Sequence, residues 1–156
     1  MSSEVHHQTL DEVATHVGSE ARMFLPGVQT FLGFQLMAVF NQRFEQFSRD
    51  EQILHFAAFL LVALTMGLLM TPAAYSRQVE PNKVTKRFVS LSSALLTLSM
   101  IPFTAGVGLE TYLVGKIILG EALAAALVAG ATLIVLTALW FVLPALARSR
   151  RYRPPP

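Results

Sequence analysis

The chain has 156 residues, of which 53% are hydrophobic and only 14% are charged, with a formal net charge of +2 at neutral pH. This composition is more apolar than that of an ordinary soluble domain, and it predicts one compact helical unit in a membrane. The chain contains no cysteine, which excludes disulfides, thiolate nucleophiles and metal sites built on sulfur ligands.

Residues 1–22 form the first predicted element, a short amphipathic cytoplasmic helix. Leu10, Val13, Val17 and Ala21 follow helical spacing, and acidic residues occupy other positions around the helix. The segment lacks the basic flank and short apolar core of a cleavable signal peptide. Its acidic face favours packing against a basic connection of this chain or of a neighbour over lying on lipid.

Four apolar segments follow, at about 23–41, 53–75, 88–109 and 122–146. Each is long enough to cross a hydrocarbon layer about 30 Å thick as a helix. We therefore predict an all-α fold, an integral membrane four-helix bundle over residues 23–147, with a basic, proline-ending cytoplasmic tail at 148–156. Trp140 near the end of the fourth span predicts its cytoplasmic interface.

Basic residues are distributed unevenly among the connections between spans. The second connection and the tail are rich in lysine and arginine, whereas the first and third connections contain few. By the positive-inside rule, both termini should be cytoplasmic. The basic tail and the high sequence pI therefore indicate membrane topology and contact with anionic headgroups, and no nucleic-acid partner is expected.

The first span contains two amides, Gln29 and Gln35, in an otherwise apolar run. An unpaired amide in hydrocarbon is costly, so each should face another helix, a water-filled cavity or a ligand. Hydrogen bonding between helices is the common use of such side chains. Lining of an ion route is the alternative.

The third span carries a stripe of hydroxyl residues on one predicted helix face. The stripe predicts either a close-packed seam, in which small residues let another helix approach, or the lining of a pore. We assign Ser90 and Ser93 to helix packing and Thr97 and Thr104 to the candidate route. The stripe ends at Thr111.

Prolines and small residues predict where helices end, bend and touch. Pro72 predicts the end of the second span, and Pro102 predicts a hinge in the third. In the fourth span, small residues recur every four positions and predict a packing face, formed by Ala122, Ala126 and Gly130. The apolar connection 110–121 predicts a continuation of the third helix, an interfacial segment or a re-entrant one.

Glu110 is the strongest candidate for chemistry, because ionisable residues beside membrane spans are rare and often functional. It predicts either a desolvated carboxylate that exchanges protons or a solvated residue at the end of the span. Lys116 or Glu121 is its expected neighbour. His55 is expected to be a solvated boundary residue.

No catalytic or cofactor motif supports an enzyme. The sequence lacks nucleophile-elbow, phosphate-loop, zincin and dinucleotide patterns. A single histidine near a span disfavours haem, and His6 and His7 lack a placed third metal ligand. We therefore predict no cofactor, no metal site and no enzymatic activity, with a lipid-acting enzyme around His55 as a distant alternative.

Three runs of sequence, LPGVQTFLGFQLMAVFNQRF at 25–44, LLMTPAAYSR at 68–77 and RFVSLSSALLTLSMIPFTAG at 87–106, resemble a functionally uncharacterised family of small four-span bacterial membrane proteins. The likeness covers about 22–147 and implies the bacterial inner membrane. Many members have a histidine where this chain has Ser76. Some members are labelled sodium:proton antiporters, which is the activity that the resemblance suggests. The resemblance implies that the residues matching the family's motifs are the important ones. They are Leu25, Pro26, Gly27, Gln29, Pro72, Ala73, Ala74, Tyr75 and Arg77.

The leading functional hypothesis is a small homo-oligomeric membrane protein for cation or proton-coupled transport. One chain has too few helices for alternating access by inverted repeats, so transport requires several copies. The competing hypothesis is a structural or accessory subunit of a larger membrane assembly, in which the same residues only hold helices together. The residues expected to line the route are Gln29, Gln35, Thr97, Thr104 and Glu110.

Overall fold

The computed structural model describes residues 9–79 and 83–151, and within them every regular element is a helix. The prediction of an all-helical fold is confirmed. His6, His7 and the tail beyond residue 151 lie outside the described residues. The elements are α1 (Leu10–Val39), a 3₁₀ turn (Gln42–Gln46), α2 (Arg49–Val79), α3 (Lys86–Leu119), α4 (Ala122–Thr137), a π-helical turn (Ala138–Val142) and α5 (Leu143–Arg151).

Three helices in the described part of the chain are long and apolar enough to cross a membrane. They are α2, α3 and the continuous helix Ala122–Ser149, which joins α4 to α5 through the π-helical turn. The fourth long helix, α1, has 30 residues. Gln29, Thr30 and Gln35 lower its apolar content.

The predicted cytoplasmic helix and the predicted first span form one helix, α1. Thr9 starts it with a capping box, in which the Thr9 N–H donates to Glu12 Oε2 at 2.7 Å and the Glu12 N–H donates to Thr9 Oγ1 at 3.4 Å. The helix continues through Pro26. Val17 on the predicted apolar face is buried in the core, so tertiary packing extends along the helix before the proline.

Two further prolines lie inside helices. α2 continues through Pro72 to Val79, four residues beyond the predicted end of the second span at about 75. α3 likewise continues through Pro102 to Leu119, which selects a long helix among the three alternatives for 110–121. Both prolines are buried, and packing on neighbouring helices maintains a helix across a proline. The role of Pro102 as a hinge stays a prediction.

The core lies among α1, α2 and α3. Glycine allows α2 and α3 to approach closely, because a Cβ atom at Gly106 would lie 3.2 Å from the carbonyl oxygen of Ala58. Toward the other end of the same antiparallel pair, the rings of Tyr75 and Phe88 stack with centroids 6.2 Å apart. The buried core residues are Val17, Val28, Val62, Leu69 and Leu96.

α4 packs against α3 through small residues, but not through those predicted. A Cβ atom at Gly115 would lie 3.3 Å from Ala125 Cα, and Ala125 and Ala129 are the buried residues of α4. Small residues occur at neighbouring positions of α4, and only the set with Ala125 and Ala129 is buried against α3. Packing of the predicted face, within the bundle or across a dimer, stays a prediction. Of that predicted face, Gly130 is half-buried, and the exposed members are Ala122 and Ala126.

The predicted hydroxyl seam of the third span faces away from the interior in its first part, although Thr104 further along is buried. Ser90 and Ser93 are exposed, whereas Ser92 and Ser99 are buried. Trp140 stacks on Phe103 with centroids 6.1 Å apart. Because Phe103 lies near the middle of α3, Trp140 packs at mid-helix level and not at the predicted interface.

Candidate functional site

Three polar side chains from three helices meet near the end of the bundle where α1 stops and α2 begins. Gln35 Nε2 donates to Glu110 Oε1 at 2.8 Å. His55 Nδ1 lies 3.0 Å from the same oxygen, and His55 Nε2 lies 3.0 Å from the backbone carbonyl oxygen of Gln35. Gln35 and His55 are each only 4% exposed. We call these three residues the polar cluster.

The helix pattern explains why the cluster forms. The buried residues of α2 recur at alternating spacings of three and four, which places them on one face. His55 is the first of them and is followed one turn later by Ala58. On α3, Glu110 follows Gly106 by one turn, so the close approach of Gly106 to Ala58 brings Glu110 up to His55.

The hydrogen-bond partners determine where protons lie. The carbonyl oxygen of Gln35 can only accept, so His55 Nε2 must carry a hydrogen. Nδ1 then faces a carboxylate oxygen at 3.0 Å, and two lone pairs at that distance would repel. A proton therefore lies between His55 and Glu110, either on Nδ1 of an imidazolium or on the carboxyl group of a neutral pair. The pair holds one exchangeable proton.

The cluster leaves one polar atom without a partner among the described residues. Gln35 Oε1 is buried and accepts no hydrogen bond. A buried acceptor in this state costs about 1–3 kcal/mol. Unsatisfied atoms in native proteins call for an explanation such as function or a bound water. Gln35 Oε1 is thus a ready acceptor for a water or a proton donor beside Glu110.

Aromatic rings and two cavities surround the cluster. Phe44 contacts the His55 ring edge-on at a centroid distance of 5.3 Å. Phe31, which is one helical turn before Gln35, packs edge-on against Phe103. His55 lies on the wall of a cavity of about 440 Å³ near the α1–α2 connection. Glu110 lies on the wall of another, of about 430 Å³, that also reaches α4. The two members of the proton-holding pair therefore line different cavities.

An ion pair closes the same end of α2 and α3. Lys116 Nζ lies 2.6 Å from Glu51 Oε1. Ser48 also donates to Glu51 through its backbone N–H at 2.7 Å and its hydroxyl at 2.8 Å. Lys116, one of the two possible neighbours of Glu110, therefore pairs with Glu51, and Glu110 lies deeper along α3 and pairs with His55.

The structure brings together two of the five residues predicted for the route. Gln35 and Glu110 meet directly. Thr104 is buried, but its hydroxyl donates to the Met100 carbonyl oxygen of its own helix at 2.7 Å. Gln29 and Thr97 are exposed on the single chain. A continuous polar line through one chain is therefore not present among the described residues.

His55 is the cluster residue that the sequence analysis misjudged. It was expected to be a solvated boundary residue, but it is 4% exposed and central to the cluster. The spacing could have indicated its burial, because His55 lies on the same helix face as Ala58 and Thr65, which are small and polar residues of α2. In an almost uniformly apolar helix, such residues mark the packed face better than hydrophobicity does.

The cluster offers too few ligands for a metal ion. Within residues 9–79 and 83–151, no group of three or more histidine, aspartate or glutamate side chains could hold one. Glu110 Oε1 already receives the Gln35 N–H and faces His55 Nδ1. These contacts favour proton chemistry over metal coordination at this oxygen.

Comparison with known proteins gives a family and no activity. No curated protein and no solved structure matches the chain. The sequence model of one family matches residues 3–144, which include all three residues of the polar cluster. The chain therefore belongs to DUF6328, a family of unknown function.

Proposed function

We propose that the protein is a small homo-oligomeric transporter of the bacterial inner membrane that moves protons, alone or coupled to another cation. The polar cluster is the site that takes up and releases the proton. The observation that carries this proposal is the contact of 3.0 Å between His55 Nδ1 and Glu110 Oε1 inside a bundle of apolar helices. A contact of this kind requires a shared proton. The antiporter label of similar proteins points the same way.

A four-span topology with both termini cytoplasmic accompanies the proposal. α1 packs along α2 and α3 from Val17 in the core to Gln35 in the cluster, so it crosses the membrane wherever they do. With basic connections inside, the cluster is on the outer side. Glu110 is nine residues from the end of α3, or about 13 Å along a helix rising ~1.5 Å per residue.

The transport step is a proton exchange within the His55–Glu110 pair. A proton arriving at Glu110 forms the carboxylic acid, which donates to His55 Nδ1; transfer then gives carboxylate and imidazolium. Loss of a proton leaves two lone pairs facing each other, so the contact weakens and the pair separates. His55 and Glu110 line different cavities, both at the end of the bundle where α1 stops. In this proposal the route toward the other end depends on a second copy.

Oligomerisation supplies the remainder of the route in this proposal. Gln29 and Thr97 are exposed on a single chain, and an exposed amide in hydrocarbon is unfavourable unless another copy covers it. Thr97 also lies on the exposed stripe with Ser90 and Ser93. A second copy packed on these faces satisfies the amides and extends the polar line beyond the cluster.

The test is proton flux into liposomes that contain the purified protein and an internal pH-sensitive dye. A potassium diffusion potential set with valinomycin drives protons inward. We expect flux from the native chain, loss of at least about tenfold in Glu110→Gln, because a missing proton-transfer group costs on the order of 10²–10⁴ in rate, and no change in Glu121→Gln. Glu121 is the matched control, since it is exposed and caps α4 without a side-chain hydrogen bond.

Two results would reject transport through the cluster. One is absence of flux from a native protein that elutes as a single species and retains its helical circular dichroism. The other is equal flux in the native chain and Glu110→Gln. Repeating the measurement with imposed sodium and potassium gradients identifies any coupled cation.

A role as an accessory subunit of a larger assembly is the second candidate. The exposed hydroxyl stripe of α3 supports it, because small residues on an exposed helix face suit a partner helix of any origin. The mass of the particle extracted from membranes in mild detergent separates the candidates. A multiple of the 17.1 kDa chain mass favours the homo-oligomer, and a mass that includes other subunits favours the accessory role.

A further inference from the structure

A cavity at the opposite end of the bundle from the polar cluster is the strongest remaining feature of the molecule. Its volume is about 370 Å³, and it lies among α1, α2 and α3. Small-molecule sites occupy about 300–1,000 Å³. Most of its wall is apolar, and Arg22, Ser76 and Ser92 supply the polar side chains.

Ser92 is the first sign that something binds there. Its side chain is 1% exposed and its hydroxyl has no hydrogen-bond partner among the described residues. Hydroxyls in apolar helices ordinarily donate to a carbonyl oxygen of their own helix, as Ser99 does at 2.7 Å and Thr97 at 3.0 Å. Ser92 differs from them, because its residue lines the cavity and its buried hydroxyl makes no such bond among the described residues.

Positive charge at the mouth of the cavity is the second sign. Arg22 Nε donates to the Gly18 carbonyl oxygen at 3.1 Å, which fixes the guanidinium at the wall. No acidic side chain of the described residues lies within ion-pair distance of Arg22. The neighbouring surface carries further exposed basic residues, namely Arg77, Lys86 and Arg87.

The cavity reaches the surface beside these charges. Met70 and Ala73 line it and are both exposed, so an apolar chain can enter between α1 and α2. Ser92 is five residues beyond Arg87, which is about 7.5 Å along the helix axis. A hydroxyl at that depth lies just below the surface formed by Arg77, Lys86 and Arg87, within the same cavity wall as Arg22.

We propose that this cavity binds an anionic phospholipid. The phosphate accepts hydrogen bonds from Arg22, an ester carbonyl oxygen accepts from the Ser92 hydroxyl, and one acyl chain occupies the apolar cavity. Basic pockets between helices on the cytoplasmic side of a membrane favour such headgroups. This site is separate from the polar cluster and does not depend on proton transport.

The experiment is native mass spectrometry of the delipidated full chain in detergent, titrated with phosphatidylglycerol and, separately, phosphatidylcholine. We expect phosphatidylglycerol to bind at least about tenfold more tightly. Both lipids carry the phosphate, but phosphatidylcholine also brings a cationic choline group beside the basic surface. Arg22→Gln should weaken binding by about tenfold and Ser92→Ala by about two- to tenfold. Arg148→Gln, an exposed arginine outside the cavity, is the matched control and should bind like the native chain.

Several outcomes would overturn the proposal. Equal weakening by Arg22→Gln and Arg148→Gln would show charge attraction without a site. Displacement of the lipid by millimolar glycerol phosphate would show that the site binds an anion and does not bind the acyl chain. Ala73→Phe tests whether the acyl chain occupies the cavity, without disturbing the protein core, because Ala73 is exposed and lines the cavity. Unchanged lipid binding in this variant would also reject the proposal.

Discussion

Removing His55 should destabilise the protein strongly, and removing the Glu110 charge in the same chain should add little or nothing to that loss. His55→Phe deletes two contacts of 3.0 Å, to Glu110 and to the Gln35 carbonyl oxygen, at a side chain that is 4% exposed. Removing one partner of a buried ion pair costs about 3–5 kcal/mol, since the other charge stays buried. The ring shape is kept, so the edge contact with Phe44 changes little.

A double-mutant cycle measures this coupling. Glu110→Gln alone should cost about 1–2 kcal/mol, because the atom that replaces Oε1 keeps only one of its two contacts. An amide oxygen there accepts from Gln35, and an amide nitrogen there donates to His55 Nδ1. The double variant His55→Phe/Glu110→Gln buries no lone charge, so its loss should be smaller than the sum of the single losses by about 2 kcal/mol. The assay is unfolding in mixed micelles by increasing dodecyl sulfate, followed by circular dichroism.

Additivity would refute the assignment of a proton-sharing pair. If the single losses add within about 0.5 kcal/mol, His55 and Glu110 do not interact energetically. The control cycle combines His55→Phe with Glu121→Gln, whose side chain is exposed at the start of α4. That cycle should be additive.

Two further predictions concern the contacts that hold α2 to α3. Gly106→Ala should destabilise the protein by about 1–3 kcal/mol through overpacking against the Ala58 carbonyl oxygen, whereas Gly67→Ala, with nothing within 4 Å, should be neutral or stabilising; the same micelle unfolding compares them. Lys116→Gln should cost only about 0.2–1 kcal/mol, because the lysine side chain is 38% exposed in its pair with Glu51. The loss should shrink as salt rises, measured by the unfolding midpoint at increasing sodium chloride.

The helical fold could be predicted from the sequence because long apolar segments leave few alternatives in a membrane. The helix ends could not be predicted equally well. Pro72 and Pro102 are local breakers in isolation, but both are buried among packed helices, and those contacts outweigh the lost backbone hydrogen bond. The tendency of proline to break a helix is therefore real at both positions, but contacts between helices, which the sequence does not reveal, determine where these helices end.

Orientation of the helix faces was the harder problem, as α3 illustrates. It carries two sets of hydroxyl residues only one or two positions apart, and the set with Ser92 and Ser99 is buried while Ser90, Ser93 and Thr97 are exposed. When every side of a helix is apolar, periodicity does not reveal which face is inside. The decisive contacts, Gly106 against Ala58 and Gly115 against Ala125, involve pairs of helices and no single helix reveals them.

The polar cluster also has a structural role, because it fixes how otherwise uniformly apolar helices align with one another. Apolar helices in lipid gain little from one register over another, and a paired polar contact specifies the register because an unpaired group is costly. Glu110 with His55, and Lys116 with Glu51, fix α2 against α3 in this way. A purely structural lock, however, should satisfy all of its polar atoms, since a partly satisfied buried network is worse than an apolar one. Gln35 Oε1 has no partner among residues 9–79 and 83–151, and that open acceptor beside a shared proton favours a cluster that works through changes of its protonation state.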